Sequence, residues 1–452
     1  MEIIVEDISS YIKDVAKVPK ALAIIRDVCR ARPVGYQFMP RYKKGYWDGY
    51  ISLMHSMNKF PTGLLWLVSK RLQVEGFHLT FTLTSAYPEY LEETIKPDML
   101  FGVTLRDYQL EAIRKLLDRK RGIAKMATNA GKTEVMAGII RALCTPKTMV
   151  IVNRKELLHQ TADRFSKRLG IEIGKIGDGI WQPGTVTVAM IQTLYSKMKE
   201  PWTNNQLLML DEAHHTSSDR TMDVVNKISG AYRFGFSGTP LKHEVLADMK
   251  LVSATGRLLC EVTNSQLIEQ GFSATPYVHL TTITNGAEDT FDAKYQQAYK
   301  DMIVDNEYRN LLVADKAKIS EGIVLVLVNQ ISHGHILNKL IPGSLFVHGS
   351  HDSEYRFGIL EKMREGGRGV FIASPIFDEG VDVPAIDTII LACGGKSHIK
   401  LLQRIGRGMR KKGNGNVLTI HDFIDDTNKY LLKHSEERID TYVAEGFETI
   451  LD

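Results

Sequence analysis

Cysteine, long apolar runs and leader-like features are scarce or missing in this sequence. The 452 residues include four cysteines, which lie far apart and form neither a CxxC pair nor a cluster with histidine. That scatter excludes a disulfide framework and argues against a zinc site. No apolar run approaches the ~18 residues of a membrane-spanning helix, and the opening MEIIVEDISS lacks the basic segment of a signal peptide. We therefore expect reduced thiols and a cytoplasmic location.

A strong net charge is also missing. The formal net charge is +4, with 44% hydrophobic and 24% charged residues, which is the composition of an ordinary globular protein. An anionic partner would therefore have to be bound by local basic patches. At 452 residues, the chain is long enough for two to four domains.

Short apolar runs recur beyond residue 100, each followed by a turn and a helical stretch. The runs are Ile123–Ala127, Met149–Val152, Val186–Ala189, Leu207–Leu210 and Phe234–Phe236, then Ile323–Val328, Leu345–Val347, Val370–Ala373, Thr388–Leu391 and Val417–Ile420. Continuous runs are typical of strands buried on both faces, and strand–helix alternation predicts parallel sheets. Two series of runs predict two α/β domains in tandem.

The expected domain boundaries follow changes in composition. Residues 1–100 combine helical and strand-like segments, which predicts a separate small α+β domain. The two α/β domains are expected over 101–275 and 311–452. Between them, residues 276–310 are polar and poor in strand signals, so we expect a connecting segment.

The heptapeptide ATNAGKT (127–133) follows an apolar run and precedes a helical stretch, which is the setting of a phosphate-binding loop. Lys132 would reach the β and γ oxygens of a nucleotide, and the Thr133 hydroxyl would bind Mg²⁺. Backbone contacts to phosphate would come from Thr128, Asn129, Ala130 and Gly131. Met126 stands where the strict pattern has its first glycine, so a plain glycine turn is the alternative.

The acidic motif DEAH (211–214) closes another apolar run. The carboxyl end of a buried strand is where an α/β sheet places its ligands. Asp211 would hold Mg²⁺, and Glu212 would orient and deprotonate the attacking water. The alternative is a solvated helix start, which also favours acidic residues.

A basic motif, QRIGRGMRKK (403–412), places Arg404, Arg407 and Arg410 three residues apart. On a helix this spacing puts them near one face, which is most often simply solvated. In a tandem-domain ATPase, however, the second domain must present cations to the γ-phosphate. We therefore assign Arg407 and Arg410 as arginine fingers, a role worth ~10³–10⁵ in rate in NTPases.

These motifs, in their order from 105 to 412, resemble those of superfamily-two helicases. Further matching segments are LRDYQ (105–109), NRKELLHQ (153–160), AMIQTL (189–194), SGTP (237–240) and SPIFDEGVDVP (374–384). The resemblance implies two RecA-like domains and an ATP hydrolase stimulated by DNA.

The resemblance also implies three further sets of site residues. ATP would be bound by Arg106, Gln109, Gly380, Asp382 and Gln403 as well as by the phosphate loop, with Gln109 reading the adenine edge. Hydrolysis would be coupled to movement by His214, Ser237 and Thr239. Nucleic acid would be contacted by Arg154, Gln192, Thr193, His348 and Ser374. Taken singly, SGTP and VDVP could also be ordinary turns.

The outer parts of the chain are similar to phage recombination helicases of the UvsW type. The similarity rests on YQFMPRYKKGYWDGYISLM (36–54), FPTGLLWLV (60–68) and YLLKHSEERIDTYVAEGFE (430–448). It implies 3′ to 5′ travel and action on forks and four-way junctions in recombination, replication and repair. The location would then be the cytoplasm of the bacterial host. We take a monomer as the starting hypothesis.

The front segment is basic, with nine cations and two acids between residues 11 and 44. Aromatic residues interleave with the last three cations, a combination that neutralises phosphates and stacks on bases. The predicted DNA contacts here are Arg41, Lys43, Lys44 and Trp47, although these aromatics could instead form the core of the small domain.

Other functions stay open on the sequence. An RNA helicase could use the same motifs, because the core grips mainly backbone. A restriction-type translocase would move on duplex DNA without unwinding it, but it normally works beside a nuclease, and no nuclease-like element is seen. A binding module with an inactive ATP site would not need the intact set of ATPase residues.

Overall fold

The computed structural model forms two compact units, Met1–Met126 with Ala130–Val262, and Ala127–Asn129 with Thr263–Asp452. The residues that it describes are 1–200, 202–241, 244–284, 293–374, 386–395, 401, 405–406, 408–409 and 416–452.

The first unit begins with a small α+β module. Its strands are β1 (Glu2–Val5), β2 (Ser9–Ile12), β3 (Arg30–Ala31), β4 (Ile51–Ser52), β5 (Phe60–Pro61) and β6 (Thr80–Leu83). Four of them form a sheet in the order β5-β2-β1-β6, and β3 pairs with β4 in a separate antiparallel ribbon. Helices Pro19–Val28 and Leu65–Val74 contact each other and bury an apolar cluster that includes Ile25, Val68 and Leu72. Pro19 opens the first helix, at a position where proline's missing N–H leaves no bond unmade.

The rest of the first unit is built on an eight-stranded sheet. Its strands are β7 (Arg121–Met126), β8 (Thr148–Val152), β9 (Gly174–Gly177), β10 (Ile180–Gln182), β11 (Val186–Met190), β12 (Leu207–Asp211), β13 (Tyr232–Ser237) and β14 (Leu258–Val262). The order is β10-β9-β11-β8-β12-β13-β7-β14, and every pairing is parallel except that of β9 with β10. Its helices are Asp107–Arg119, Lys132–Ala142, Lys155–Leu169, Ile191–Ser196, Asp219–Val225 and Val245–Thr255.

The small module packs directly against this sheet domain. Met249 and Val252 of the helix Val245–Thr255 join the apolar cluster of the module. At Gly63, an added Cβ would lie 2.1 Å from the carbonyl oxygen of Val252, so a side chain has no room there. Asp7 accepts a hydrogen bond from the backbone N–H of Gly230 at 3.0 Å. The module and the first sheet domain therefore pack against each other within one compact unit.

The second unit contains a seven-stranded parallel sheet. Its strands are β15 (Thr275–Ile283), β16 (Ile323–Leu327), β17 (Leu345–Val347), β18 (Gly369–Ala373), β19 (Thr388–Ile390), β20 (Val417–Asp425) and β21 (Glu448–Leu451), in the order β17-β18-β16-β19-β20-β15-β21. The helices are Asn264–Glu269, Tyr295–Tyr299, Glu307–Ile319, Ile331–Leu340, Ser353–Glu365 and Lys429–Ala444, with a π-helical turn at Lys300–Val304.

The sheets confirm the α/β class and the ten apolar runs, each of which falls on a parallel strand. The boundary between the units differs from the expectation. Strand β15 pairs with β20 over nine residues, so the first part of 276–310 belongs to the second sheet and not to a connecting segment. The strand alternates buried Val278 and Leu280 with exposed or half-buried polar residues, so it lacks the continuous apolar run that marks the other parallel strands. Among the residues described, no helix is long and apolar enough to cross a membrane.

Candidate active site

The phosphate loop lies between strand β7 and the helix that Lys132 begins. Gly131 precedes the helix with φ of 77°, a left-handed conformation that favours glycine. An added Cβ at Gly131 would also approach Nε2 of Gln109 to 2.2 Å. Backbone N–H groups at this helix N-terminus have no partner within the helix, which makes them donors for an anion. Thr133 follows Lys132 in the first turn, as the sequence predicts.

Gln109 is buried and its amide holds the phosphate loop. Its Nε2 donates to the carbonyl of Ala130 at 2.9 Å, and its Oε1 accepts from the backbone N–H of Arg106 at 2.9 Å. Tyr108 also donates to the Ala130 carbonyl, at 3.2 Å, and Nη1 of Arg106 donates to the Tyr108 hydroxyl at 2.7 Å. The sequence reasoning missed Tyr108, although it lies inside the LRDYQ segment. The three side chains fix the loop from one side.

Asp211 and Glu212 lie at the carboxyl end of β12, facing Lys132. The Lys132 Nζ lies 3.1 Å from Oε1 of Glu212, although β13 separates β7 from β12 in the sheet. Glu212 has φ of 47° and ψ of 52°, a conformation that costs on the order of 1–3 kcal/mol in residues other than glycine. Strain of this kind persists where the surrounding structure imposes it, often at a functional site.

Burial and mutual contact set the ionisation of this triad. Burial raises the pKa of Asp211, and the neighbouring Glu212 carboxylate raises it further. For Glu212, burial acts in the same direction, but the Lys132 ammonium and the nearby histidines hold its pKa below the usual value. Burial opposes the charge on Lys132, yet the two carboxylates raise its pKa overall. Lys132 and Glu212 are thus a charged pair at neutral pH.

The donor set at this site fits Mg²⁺. A buried carboxylate crowded by a second carboxylate is stabilised by a divalent cation, and oxygen atoms are the ligands that Mg²⁺ prefers. Asp211 offers such a carboxylate, with Oδ1 also accepting from the backbone N–H of Glu212 at 2.9 Å. The Thr133 hydroxyl is the second oxygen that the sequence assigned to the metal.

The residues expected to couple hydrolysis to movement lie together. Nδ1 of His214 is 2.9 Å from Oγ of Ser237, and both side chains are buried. The same Oγ accepts from the backbone N–H of Thr239 at 3.2 Å. His214 also lies 3.4 Å from Oε2 of Glu212. A continuous chain of contacts therefore runs from Glu212 to the segment that follows β13.

Two of the segments predicted to contact nucleic acid lie next to each other at the same edge of the sheet. Arg154 precedes the helix Lys155–Leu169, after β8, and Gln192 and Thr193 lie in the helix after β11. Strands β8 and β11 are parallel neighbours. Nε2 of Gln192 donates to the carbonyl of Asn153 at 2.9 Å, which joins the two segments. Gln192 is exposed, and Arg154 and Thr193 are half-buried.

The second unit places His348 and Ser374 at one sheet edge. They follow β17 and β18, and the backbone N–H of Ser374 donates to the carbonyl of Val347 at 3.1 Å. Both side chains are buried. The ring of His348 lies 3.8 Å from that of His351, centroid to centroid. Burial and the neighbouring histidines lower the pKa of His348.

The predicted DNA contacts of the small module lie in the segment between β3 and β4, residues 32–50, which we call the basic loop; it includes a one-turn helix, Pro40–Lys43, that carries Arg41 and Lys43. Arg41, Lys43 and Lys44 are exposed. Trp47 is half-buried, and its indole N–H donates to the carbonyl of Tyr50 at 2.7 Å. The geometry thus gives Trp47 a bond within the loop, whereas the three cations remain accessible.

Several predicted residues lie outside the described part of the chain. They are Gly380, Asp382, Gln403, Arg404, Arg407 and Arg410. The γ-phosphate and arginine-finger roles of this group therefore stay predictions.

Three family models match separate parts of the chain. Residues 102–242 match the res subunit of type III restriction enzymes, and residues 306–412 match the conserved C-terminal domain of helicases. Residues 10–81 match the N-terminal domain of the DNA helicase UvsW. The first model contains the phosphate loop and the DEAH motif, the second contains the predicted arginine fingers, and the third contains the cations Arg41, Lys43 and Lys44 of the small module.

Similar proteins cover most of the chain. The ATP-dependent DNA helicase uvsW of Enterobacteria phage T4 is 28% identical over 94% of this chain and 94% of its own length. The DNA 3'-5' translocase XPB2 of Sulfurisphaera tokodaii is 28% identical over 70% of this chain and 81% of its own. A crystal structure of the UvsW helicase from Bacteriophage T4 matches with a TM-score of 0.50 at 22% identity, over 57% of this chain and 100% of that one, and supports the fold alone.

Proposed function

We propose that this chain, which is similar to superfamily-two DNA helicases of the UvsW type, works on branched DNA, unwinding or branch-migrating forks and four-way junctions. The observation that supports this is the basic loop of the small module, which is packed on the first ATPase domain through a shared core. ATPase motor domains that move along one DNA strand need a second surface that holds the other arms of a junction. Arg41, Lys43 and Lys44 offer that surface.

We infer that ATP is bound at the phosphate loop and hydrolysed by the residues around Glu212. Lys132 would bind the β- and γ-phosphates, and Asp211 and Thr133 would hold Mg²⁺, which neutralises phosphate charge. With phosphate as the new partner of Lys132, the Glu212 carboxylate becomes free to orient water and accept its proton. Arg407 and Arg410 would supply positive charge to the transition state from the second domain.

The contact chain from Glu212 through His214 to Ser237 supports a coupling role. A change at the γ-phosphate moves Glu212, and the buried histidine transmits that movement to the SGTP segment. Adenine recognition is proposed for Gln109, whose amide already holds the phosphate loop. We propose that Arg154, Gln192 and Thr193 of the first domain contact the DNA strand. In the second unit, His348 and Ser374 would contact it too.

The proposed direction of travel is 3′ to 5′ on the strand that the engine tracks. The name of the Sulfurisphaera tokodaii relative records that direction for that protein. The proposed setting is recombination, replication and repair of phage DNA in the cytoplasm of the bacterial host, which the similarity to the T4 helicase supports.

A matched panel of substrates tests the proposal. Strand separation with ATP and Mg²⁺ would be measured on forks with a 3′ or 5′ arm, four-way junctions, blunt duplexes and RNA duplexes of equal length. We expect forks and junctions to be opened faster than blunt duplexes, with little action on RNA. Equal rates on RNA would favour an RNA helicase, and movement on duplex without strand separation would favour a duplex translocase.

A further inference from the structure

The basic loop, residues 32–50, carries two aromatic side chains that face solvent. Phe38 is 71% exposed and Tyr46 is 82% exposed. Burying such a ring is normally favourable by more than 1 kcal/mol, so two exposed rings on one short loop are available for a partner.

The remaining aromatics of the basic loop form its scaffold instead. The rings of Tyr36 and Tyr42 meet edge to face, with centroids 4.9 Å apart. The Arg32 guanidinium lies between Tyr36 and Tyr50, 4.6 Å and 4.4 Å from the ring centroids. The indole N–H of Trp47 is bonded to the carbonyl of Tyr50. These residues hold the loop in one shape, so Phe38 and Tyr46 do not need to fold inward.

Cations share this segment with the exposed rings, and one of them lies near Phe38. Between residues 32 and 50 the chain has four cations and one acid, Asp48. The Nζ of Lys43 lies 5.9 Å from the centroid of the Phe38 ring. Within the described residues, Arg41, Lys43 and Lys44 form no ion pair, and all three are exposed. The loop also has a firm base, because the backbone N–H of Leu53 donates to the carbonyl of the buried Cys29 at 2.8 Å.

This arrangement identifies the chemistry of the partner. Phosphates attract the cations, and the π-faces of unpaired bases stack on exposed aromatic rings. A fully paired duplex offers no free base face except at its ends, whereas a branch point or a single-stranded arm does. Exposed rings on an uncharged or acidic loop would instead favour contact with another protein.

We propose that Phe38 and Tyr46 stack on unpaired bases at the branch point, and that Trp47 does not. The proposal rests on the proposed function of the basic loop in DNA binding. It adds which side chains contact bases and which part of a branched substrate they bind. The cations would then supply attraction to any DNA, while the two rings would supply preference for unpaired bases.

Equilibrium binding of the full chain to two DNAs tests the assignment. One is a fork with 2-aminopurine at the branch point, and the other is a blunt duplex of equal length. Phe38→Ala and Tyr46→Ala should each weaken fork binding by on the order of tenfold, with little effect on the duplex. Quenching of 2-aminopurine should fall, and the salt slope of binding should stay unchanged, because no phosphate contact is lost. Tyr46→Phe should behave as wild type, and Phe38→Leu as Phe38→Ala.

Phe81→Ala is the matched control, because Phe81 is an exposed aromatic of the same module on strand β6. It should leave both affinities unchanged. Unchanged fork binding and quenching in Phe38→Ala and Tyr46→Ala would overturn the stacking assignment. An equal loss on fork and duplex would also overturn it, since rings on paired DNA would contact backbone or groove. Altered self-association with normal DNA binding would point to a protein partner instead.

The cation variant separates this inference from the proposed function. If Arg41, Lys43 and Lys44 are all replaced by Ala and DNA binding weakens while the ring variants have no effect, only the stacking assignment fails. If neither the cation nor the ring variants weaken binding, the basic loop is not a DNA-binding surface, and the proposed function of the loop fails with it.

Discussion

Gly63 is the position where a single methyl group should most clearly reveal the shared core of the small module and the first ATPase domain. The substitution Gly63→Ala adds a Cβ 2.1 Å from the carbonyl oxygen of Val252 and 2.4 Å from that of Ser253. Carbon and oxygen in ordinary contact are roughly 3.5 Å apart, so the turn and the helix Val245–Thr255 must separate by more than about 1 Å. Both obstacles are backbone atoms, which cannot rotate away as a side chain would.

Overpacking of this kind costs about 1–3 kcal/mol, and the rigid obstacles place Gly63→Ala near 3 kcal/mol. That is about a hundredfold in the unfolding equilibrium constant. All four tryptophans of the chain, at positions 47, 66, 181 and 202, lie in the first unit. Urea unfolding followed by tryptophan fluorescence therefore reports on that unit. The rate of DNA strand separation should fall together with stability, because the basic loop would lose its fixed position on the first ATPase domain.

Gly358→Ala is the control, since it adds the same methyl in the helix Ser353–Glu365 with nothing within 4 Å. It should leave the fluorescence-detected midpoint unchanged. A Gly63→Ala protein with wild-type urea stability would refute the reasoning, because it would show that the module and the sheet domain are not packed as described.

Three further predictions address the ATP site, the basic loop and the second unit. Lys132→Ala should abolish ATP hydrolysis while leaving circular dichroism and DNA binding near wild type, and hydrolysis at the wild-type rate would reject the phosphate-loop assignment. Replacing Arg41, Lys43 and Lys44 with Ala should lower the log–log salt slope of fork binding by roughly 2–3, and an unchanged slope would return these cations to a structural role. His333 is buried, its Nε2–H donates to Oδ1 of Asn310 at 2.8 Å, and burial lowers its pKa to about 3. Below pH 6.5 this histidine is protonated in the unfolded chain but stays neutral in the folded chain, so the free energy of unfolding decreases as the pH falls towards 3. Between pH 7 and pH 5 this histidine should account for about 2 kcal/mol, and His333→Gln should reduce the loss by that amount in urea unfolding; an equal loss in the variant would exclude His333 as the cause.

The parts of the fold predicted from the sequence are those with a local signal. Buried parallel strands such as Leu207–Asp211 are continuous apolar runs, and the phosphate loop and the DEAH motif follow such runs directly. Strand β15 lacks the continuous apolar run that predicted the other parallel strands, although its alternation of buried and polar residues is also a strand pattern. Its nine pairs with β20 join residues that are far apart in the chain.

The contacts that hold the small module lacked any local signal. Asp7 bonds to Gly230, which lies 223 residues away, and Gly63 is small because of a helix near residue 250. Such pairs become visible only when the chain has folded. Trp47 shows the same limit at a site: its indole N–H donates to the carbonyl of Tyr50, a contact without a signal in the sequence, and its role in DNA binding stays a prediction.

The central claim is that ATP hydrolysis at Glu212 drives the separation of branched DNA. The most direct measurement compares wild type and Glu212→Gln in one assay that follows phosphate release and fork opening together. Gln keeps the shape of Glu212 but cannot take a proton from water, so ATP and fork should still bind while both phosphate release and opening stop. Wild type should release phosphate slowly alone and faster with DNA, in step with strand separation. Fork opening by Glu212→Gln at the wild-type rate, or wild-type hydrolysis that is indifferent to DNA, would contradict the account.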